Sequence, residues 1–519
     1  MELHMTTQSE PLHRLDGEQQ TRKFGVTHGT KVPLHEASEV LKKPQWSAML
    51  ALVGFATTFG AAVPVGYCIG VINAPASLIK VWCNETIHHR FGSNLSASGL
   101  DLLWSSVVSI FLIGGAVGSL GGAKAANKFG RKGCLLISGG LFTLGAILFF
   151  FCRVAGSVEM LLLGRLIVGL ASGLTTAVLP MYLTEIAPLA LRGTFGVFCS
   201  MGVTGGVVVG QVFSLRHIFG TDQLWHYALS FYIILVAVCF LPAYYFPESP
   251  KYLYIVRNDQ ELARSELLRL CKGPNAALVI KHEIEEMDAE MSTKVQTSSF
   301  FSVLKDPTLL LPLIIVCSFH GGQQLSGINA IFYYSVSIFK KAGLSTTDAE
   351  WANLGAGCLN LLVAFLGPML MSKLNRRPLM MFSSGICSFF LFAIAFVLYY
   401  IDTSSWFPIL CIVGIMGYIF FYQLGLGPIP YFIGSEIFEV APRSVAMSMG
   451  SLSSWTCNFT VGMAFPSLQN AWGAFVFLPF SATCLLLFLL TKFYLPETRG
   501  RDPSEVAPLV AKGFRSKVK

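Results

Sequence analysis

Along the chain, long apolar blocks alternate with short polar breaks. Blocks of about 20 apolar residues lie at about 48–70, 104–124, 133–153, 160–182, 194–215, 226–246, 308–330, 352–371, 379–400, 407–433, 445–468 and 473–494. Twenty helical residues rise about 30 Å, the thickness of a bilayer's hydrocarbon core. The blocks are too long and too continuous for the alternating strands of a barrel, and a spanning helix satisfies its own backbone hydrogen bonds. The pattern therefore predicts an all-α membrane protein with twelve transmembrane helices. The first 47 residues are polar and carry no cleavable apolar leader, so the first span is expected to serve as the insertion signal. One long polar stretch, 247–306, has the charge pattern of short amphipathic helices, as in Asn258-Asp259-Gln260-Glu261-Leu262-Ala263-Arg264.

Short polar motifs recur between the two halves. Gly130-Arg131-Lys132 follows the second block and Asn375-Arg376-Arg377 the eighth. Glu185 and Arg192 follow the fourth, and Glu436 and Arg443 follow the tenth at the same spacing. Pro247-Glu248-Ser249 follows the sixth, and Pro496-Glu497-Thr498 the twelfth. Each motif and its partner are about 250 residues apart, in the same order. This predicts a duplicated unit and five segments: a tail at 1–47, a six-helix bundle at 48–246, a linker at 247–306, a second bundle at 307–495 and a tail at 496–519. Two pseudo-symmetric bundles with a linker describe a rocking carrier whose ligand sits between them near mid-membrane.

Composition sharpens this picture. Hydrophobic residues make up 53% of the chain and charged residues 13%, about half the charge usual in soluble domains. About 30 of the 37 Lys and Arg fall on one side of the membrane if both tails and the linker are cytoplasmic. The net charge of +8 is then topogenic, and nucleic acid is not an expected partner. The 13 Cys have neither metal spacing nor a disulfide framework, so no metal and no cofactor is expected. Asn84-Glu85-Thr86 and Asn94-Leu95-Ser96 are sequons in the longest external loop, about 71–103, whereas Asn458-Phe459-Thr460 lies within a span and is out of reach of glycosylation.

Polar residues inside spans are costly and are candidates for function or for interhelical hydrogen bonding. Gln323-Gln324-Leu325-Ser326-Gly327-Ile328-Asn329 in the seventh block is the densest such cluster, with Tyr333 and Tyr334 after it. Amides donate and accept, which suits a neutral polyhydroxyl ligand stripped of water. Gly425-Leu426-Gly427-Pro428-Ile429-Pro430 in the tenth block cannot form regular helix, so Gly427, Pro428 and Pro430 are candidates for a gate. Gln211, Asn360, Trp455 and Asn458 add polar and aromatic groups from neighbouring blocks.

Together, Gln-Gln-Leu-Ser-Gly-Ile-Asn at 323–329, Gly-Pro-Ile-Pro at 427–430 and Pro-Glu-Thr-Arg-Gly-Arg at 496–501 make the chain resemble the sugar porter branch of the major facilitator superfamily, specifically the animal facilitative glucose transporters. The resemblance implies the major facilitator fold and a sugar site lined by Gln211, Gln323, Gln324, Asn329, Asn360, Trp455 and Asn458. It also implies a cytoplasmic latch between bundles built from Glu185, Arg192, Glu436 and Arg443, with Arg131 and Arg376. Against the glucose-selective pattern, His320-Gly321-Gly322 stands where Gln-Leu-Ser is frequent, Tyr431 where Trp is usual, Gln423 where Glu is usual, and Ser372 where an acid is expected. The two glycines are expected to widen one wall of the sugar site.

Proton-coupled relatives of this kind carry an Asp after a Gly-Tyr pair in the first span. Here Gly66-Tyr67 is followed by Cys68, and the first span has no carboxylate. A buried thiol stays neutral, so the expectation is facilitated uniport of a hexose, D-glucose first, across the plasma membrane. A fructose, polyol or dehydroascorbate carrier, a proton symporter and a non-transporting sugar sensor are the alternatives. No Walker motif or catalytic arrangement suggests a pump or an enzyme, and beyond the hexose and the lipid bilayer no obligate protein partner is evident.

Overall fold

The computed structural model describes residues 45–72, 75–92, 95–215, 217–292, 300–341, 343–404 and 406–516. Among them every regular element is helical. Ten helices are long and apolar enough to cross a membrane. One of these runs, Leu102–Cys152, is 51 residues long and breaks at Gly130, whose φ of 78° ends one span and starts the next. Val440–Trp472 makes the twelfth span; its Ser, Asn and Arg residues dilute its apolar character, which is why it is not among the ten.

We number the spans in order: α1 Ala48–Gly70, α2 and α3 the two limbs of the broken run, α4 Val158–Ile186, α5 Leu189–Phe213, α6 Trp225–Tyr245, α7 Pro307–Phe332, α8 Trp351–Lys373, α9 Arg376–Tyr399, α10 Trp406–Ile437, α11 Val440–Trp472 and α12 Gly473–Tyr494. The expected blocks coincide with these spans to within a few residues at most ends. The irregularities fall where the sequence places its helix breakers. In α1, a π turn at Thr58–Ala62 precedes Pro64. In α7, Gly327 takes φ 85° between Leu325 and Ile328. In α10, regular helix stops at Leu424 and resumes at Ile429.

Lipid gives helices little hydrophobic reason to associate, so small residues and polar contacts hold them together. In α1, a Cβ on Gly66 would lie 1.9 Å from the Val203 carbonyl oxygen of α5, and one on Gly206 of α5 would lie 2.1 Å from that of Val63. Backbone meets backbone along that seam. The two bundles have separate apolar cores, one around Tyr67, Phe111 and Trp225, the other around Phe319, Tyr418 and Phe432.

Outside the membrane, the linker forms helices Gln260–Leu270, Ala276–Ser292 and Phe300–Lys305, and the C-terminal segment forms Pro503–Val510. The segment read as an external loop also holds a helix, Ala76–Phe91, anchored by buried Ile79, Trp82 and Cys83, with Trp82 5.1 Å from the Trp225 ring. Asn84 lies on this helix, its Oδ1 accepting from the Leu95 N–H at 3.0 Å. Asn94, and residues 1–44 of the N-terminal tail, lie outside the described residues.

Candidate functional site

The bundles meet along the half of α11 nearest the linker. Arg443 of α11 reaches Glu185 of α4 (3.1 Å), and Ser444 reaches Asn127 (3.0 Å). Ser451 sits between Ser119 (2.8 Å) and Thr176 (2.9 Å). Trp455 then donates its Nε1–H to the Thr176 hydroxyl (3.0 Å), with its ring edge-on to Phe111. A Cβ on Gly115 would fall 2.4 Å from that ring, so the glycine makes room for the indole. Trp455 is therefore both a wall of the cavity and a plug of one bundle in the other.

Beyond this seam, at the level of the α7 and α10 breaks, lies a cavity of about 120 Å³. For scale, an apolar protein cavity of roughly 150 Å³ accepts benzene. All seven residues expected to line a sugar site, Gln211, Gln323, Gln324, Asn329, Asn360, Trp455 and Asn458, face it. The side chains of Tyr333 and Tyr334 lie outside the described residues.

The amides on one wall form a chain. Gln324 Nε2 donates to Ser454 Oγ at 2.9 Å, Asn329 Nδ2 donates to Gln324 Oε1 at 2.6 Å, and Asn329 Nδ2 also reaches Asn458 Oδ1 at 2.9 Å. The turn at Gly327 brings this about. It carries Asn329 off the first limb of α7 so that its amide folds back towards Gln324, five residues earlier. Gln323 donates to the Gly427 carbonyl, exposed where Pro428 and Pro430 interrupt α10. Gly427 and Pro428 thus lie in the α10 break, Pro430 stands in the first turn of the resumed helix, and Gly427 lines the cavity.

Elsewhere around the cavity, polar atoms are left over. Gln211 Oε1, Asn360 Oδ1 and His320 Nε2 are buried without a hydrogen-bond partner among the described protein atoms. Buried polar atoms of this kind are costly unless something satisfies them. Among the described residues, no Asp, Glu, Lys or Arg lines the cavity. An uncharged wall with leftover polar atoms suits a neutral ligand rich in hydroxyls.

Sequence reasoning missed several wall residues: Thr176, Thr204, Ser451 and Ser454. Hydroxyls are cheap to carry in a helix and leave no pattern of their own. One weak signal existed, because Ser451 lies one helical turn before Trp455. The expectation that Gly321 and Gly322 widen a wall is not met. His320 lines the cavity, but the glycines face away from it. A Cβ on Gly321 would meet Ser453 Oγ at 2.6 Å, and one on Gly322 would meet Leu487 at 2.7 Å. They let α7 pack closely on α11 and α12, and close packing takes up the space their missing side chains leave.

On the linker face the charged residues assort differently from a symmetric latch. Arg131 pairs with Glu185 inside the first bundle (2.8 Å), and Arg376 with Glu436 inside the second (3.0 Å). Among the described residues, Arg443–Glu185 is the only ion pair that joins the bundles directly. Arg192 does not reach Glu436. It binds Glu283 (2.9 Å) and Glu286 (2.8 Å) of the linker and Asp502 (2.8 Å) of the C-terminal segment. The repeated Pro-Glu motifs act as helix caps: Glu248 accepts from the backbone N–H of Arg131 and Lys132 at the start of α3, and Glu497 from those of Arg376 and Arg377 at the start of α9. At Ser372, where an acid was expected, the backbone carbonyl takes a hydrogen bond from Arg499 instead (2.8 Å).

Two helical bundles duplicated in sequence, a polar cavity between them and a sealed seam on one side define a multi-pass membrane carrier. The family model for sugar (and other) transporters matches residues 53–509, and the chain belongs to that family. It is 39% identical over 441 residues to facilitated glucose transporter member 3 of solute carrier family 2 from Ovis aries, covering 85% of this chain and 88% of that one. With member 1 from Gallus gallus the identity is 37% over 444 residues, covering 85% and 89%. The solved structure of the proton:xylose symporter XylE bound to 6-bromo-6-deoxy-D-glucose matches with a TM-score of 0.76 at 23% identity, over 89% of this chain and 99% of that one. That likeness shows the expected fold.

Proposed function

We propose that this protein carries a hexose, D-glucose first, by facilitated diffusion, and that it works by alternating access in the plasma membrane with both termini and the linker in the cytoplasm. The observation that carries the reading is the cavity wall. It has an amide chain on α7 and α11, leftover polar atoms at Gln211 and Asn360 on other helices and at His320 one turn before Gln324, and no charged side chain among its described residues. A sugar ring offers hydroxyls to all of these, and its C–H face suits the Trp455 indole. The relatives named above are facilitated glucose transporters, which supports the same substrate class.

Uniport is supported by the residue that follows Gly66-Tyr67, Cys68. Its carbonyl accepts from the buried Arg165 guanidinium (2.8 Å), which also donates to the Val107 carbonyl (3.2 Å) and lies over the Phe111 ring. Coupling to protons needs a buried group that changes charge during the cycle, and α1 offers a thiol where an acid would serve.

The test is uptake by purified protein in liposomes, with labelled glucose and a competing panel of fructose, polyols and dehydroascorbate. Saturable glucose uptake that equilibrates without accumulating is expected. If glucose is neither transported nor competitive while another of these solutes is, the glucose assignment fails and the carrier reading stands. If none is transported, the carrier reading fails too.

A further inference from the structure

A second, smaller cavity opens where both bundles and the linker converge on the linker face. Its volume is about 20 Å³, room for one occupant not much larger than a water molecule. Five cations stand on its wall: Arg192, Lys251, Arg376, Arg443 and Arg501. Glu436 is the single carboxylate among its described lining residues. Both oxygens of Glu436 are engaged, by Arg376 and by the Thr498 hydroxyl.

Most N–H groups of these cations have acceptors elsewhere. Arg192 gives its two terminal nitrogens to Glu283, Glu286 and Asp502, and Lys251 binds Glu286. Arg443 gives Nη1 to Glu185 and Nε to the Phe438 carbonyl. Two donors are left: Arg192 Nε and Arg443 Nη2 are buried and have no hydrogen-bond partner among the described protein atoms. Their side chains are more than nine-tenths buried, at 9% and 2% exposure, and the two arginines line the same small cavity from opposite bundles. Arg501, exposed, adds a fifth positive charge at the edge. Buried charged donors without acceptors are costly to leave so, and a negatively charged acceptor satisfies them better than a neutral one.

We propose that this cavity is a binding site for a small inorganic anion of halide size, held between Arg192 of the first bundle and Arg443 of the second. The small volume excludes a bulkier oxyanion, and two charged donors without acceptors favour a halide over water. Because its ligands belong to both bundles, the anion binds only while the linker face is closed. It therefore multiplies the ratio of closed to open molecules by one plus its concentration over its dissociation constant, about a hundredfold at a hundred times that constant. The sugar cavity is not involved, so this site stands or falls apart from the transport reading.

Anomalous diffraction from crystals of the full chain grown in sodium bromide tests it directly. A bromide peak between Arg192 and Arg443 is expected, and its absence overturns the proposal, leaving water as the occupant. The melting temperature of the detergent-solubilised full chain, followed as gluconate is replaced by chloride at constant ionic strength, should rise to saturation. Arg501→Gln should raise the half-saturating chloride several-fold while leaving the melt in gluconate unchanged. A rise that never saturates and is identical in Arg501→Gln is a bulk salt effect and counts against the site.

Discussion

Gln324 holds the middle of the amide chain: it donates to Ser454 and accepts from Asn329. Removing an amide from a site built around it costs about 1–3 kcal/mol, roughly five- to 150-fold in affinity. Gln324→Ala should therefore weaken hexose uptake by that factor while leaving the melting temperature and membrane delivery near wild type. Uptake equal to wild type would make Gln324 a packing residue. At 320–322 the structure changes what an exchange for Gln-Leu-Ser can test. Leu at 321 meets Ser453 and Cys457, and Ser at 322 meets Leu487, so the triple exchange should lower the melting temperature by several degrees through overpacking. His320→Gln alone is the informative variant, because only His320 lines the cavity. A shift in the ratio of glucose to fructose uptake without a change in melting temperature is the expected result. The amide cluster was legible in the sequence because seven residues carried it in one run. The side of α7 on which the glycines lie was not, since it depends on what packs behind them.

Among the elements, the linker-face pairs divide into those within a bundle and the one between bundles. Arg443→Gln removes the direct bond to Glu185, whereas Glu436→Gln disturbs a pair closed within the second bundle. Cysteine-accessibility labelling from the linker side should therefore show a larger shift towards the linker-open state for Arg443→Gln. An equal or larger shift for Glu436→Gln would contradict that division. The linker contributes through Arg192. Burial pushes the Glu286 carboxyl up, but Arg192 and Lys251 outweigh it and hold that carboxyl below the ordinary range. Burial pushes Glu283 up; Arg192 opposes this, the neighbouring Glu286 adds to it, and the carboxyl stays above its ordinary value. A depressed carboxylate stabilises above its unfolded value, about 4.3, and loses that contribution as pH falls below it. Glu283, raised, takes up its proton first, which relieves its repulsion from Glu286 and leaves the Arg192–Glu286 pair intact. Exchange protection of Ala276–Ser292 should hold from pH 7 to 5 and decline below about pH 4. Loss of protection already at pH 6 would mean that the carboxylates do not carry the tie. Sequence repeats showed that these charges come in matched pairs. They did not show who pairs with whom, because the linker and the C-terminal segment bring in Glu283, Glu286 and Asp502 from far along the chain.

For the whole molecule, the sealed seam from Arg443 to Trp455 and the cavity beyond it describe one end state of a rocking carrier. With Cys68 in place of an acid, initial sugar influx into liposomes should be the same with and without an inward proton gradient. Sugar-dependent acidification of the lumen, or accumulation above the outside concentration driven by pH, would contradict uniport.

The sequence by itself determined the twelve spans, the duplication and the amide cluster. Each is written in local spacing: block length against bilayer thickness, motifs at one offset, and amides within a few residues of a glycine. It also marked the breaks in α7 and α10, because glycine and proline set backbone torsions wherever they stand. The tertiary structure decided the rest. It set Trp455 into the opposite bundle, turned Gly321 and Gly322 into packing contacts, folded Ala76–Phe91 into a helix where a loop was expected, and gave Arg192 to the linker and the C-terminal segment. Each of these depends on which surface arrives opposite a residue once distant segments are packed, and a hydrophobic pattern read along one chain does not contain that surface.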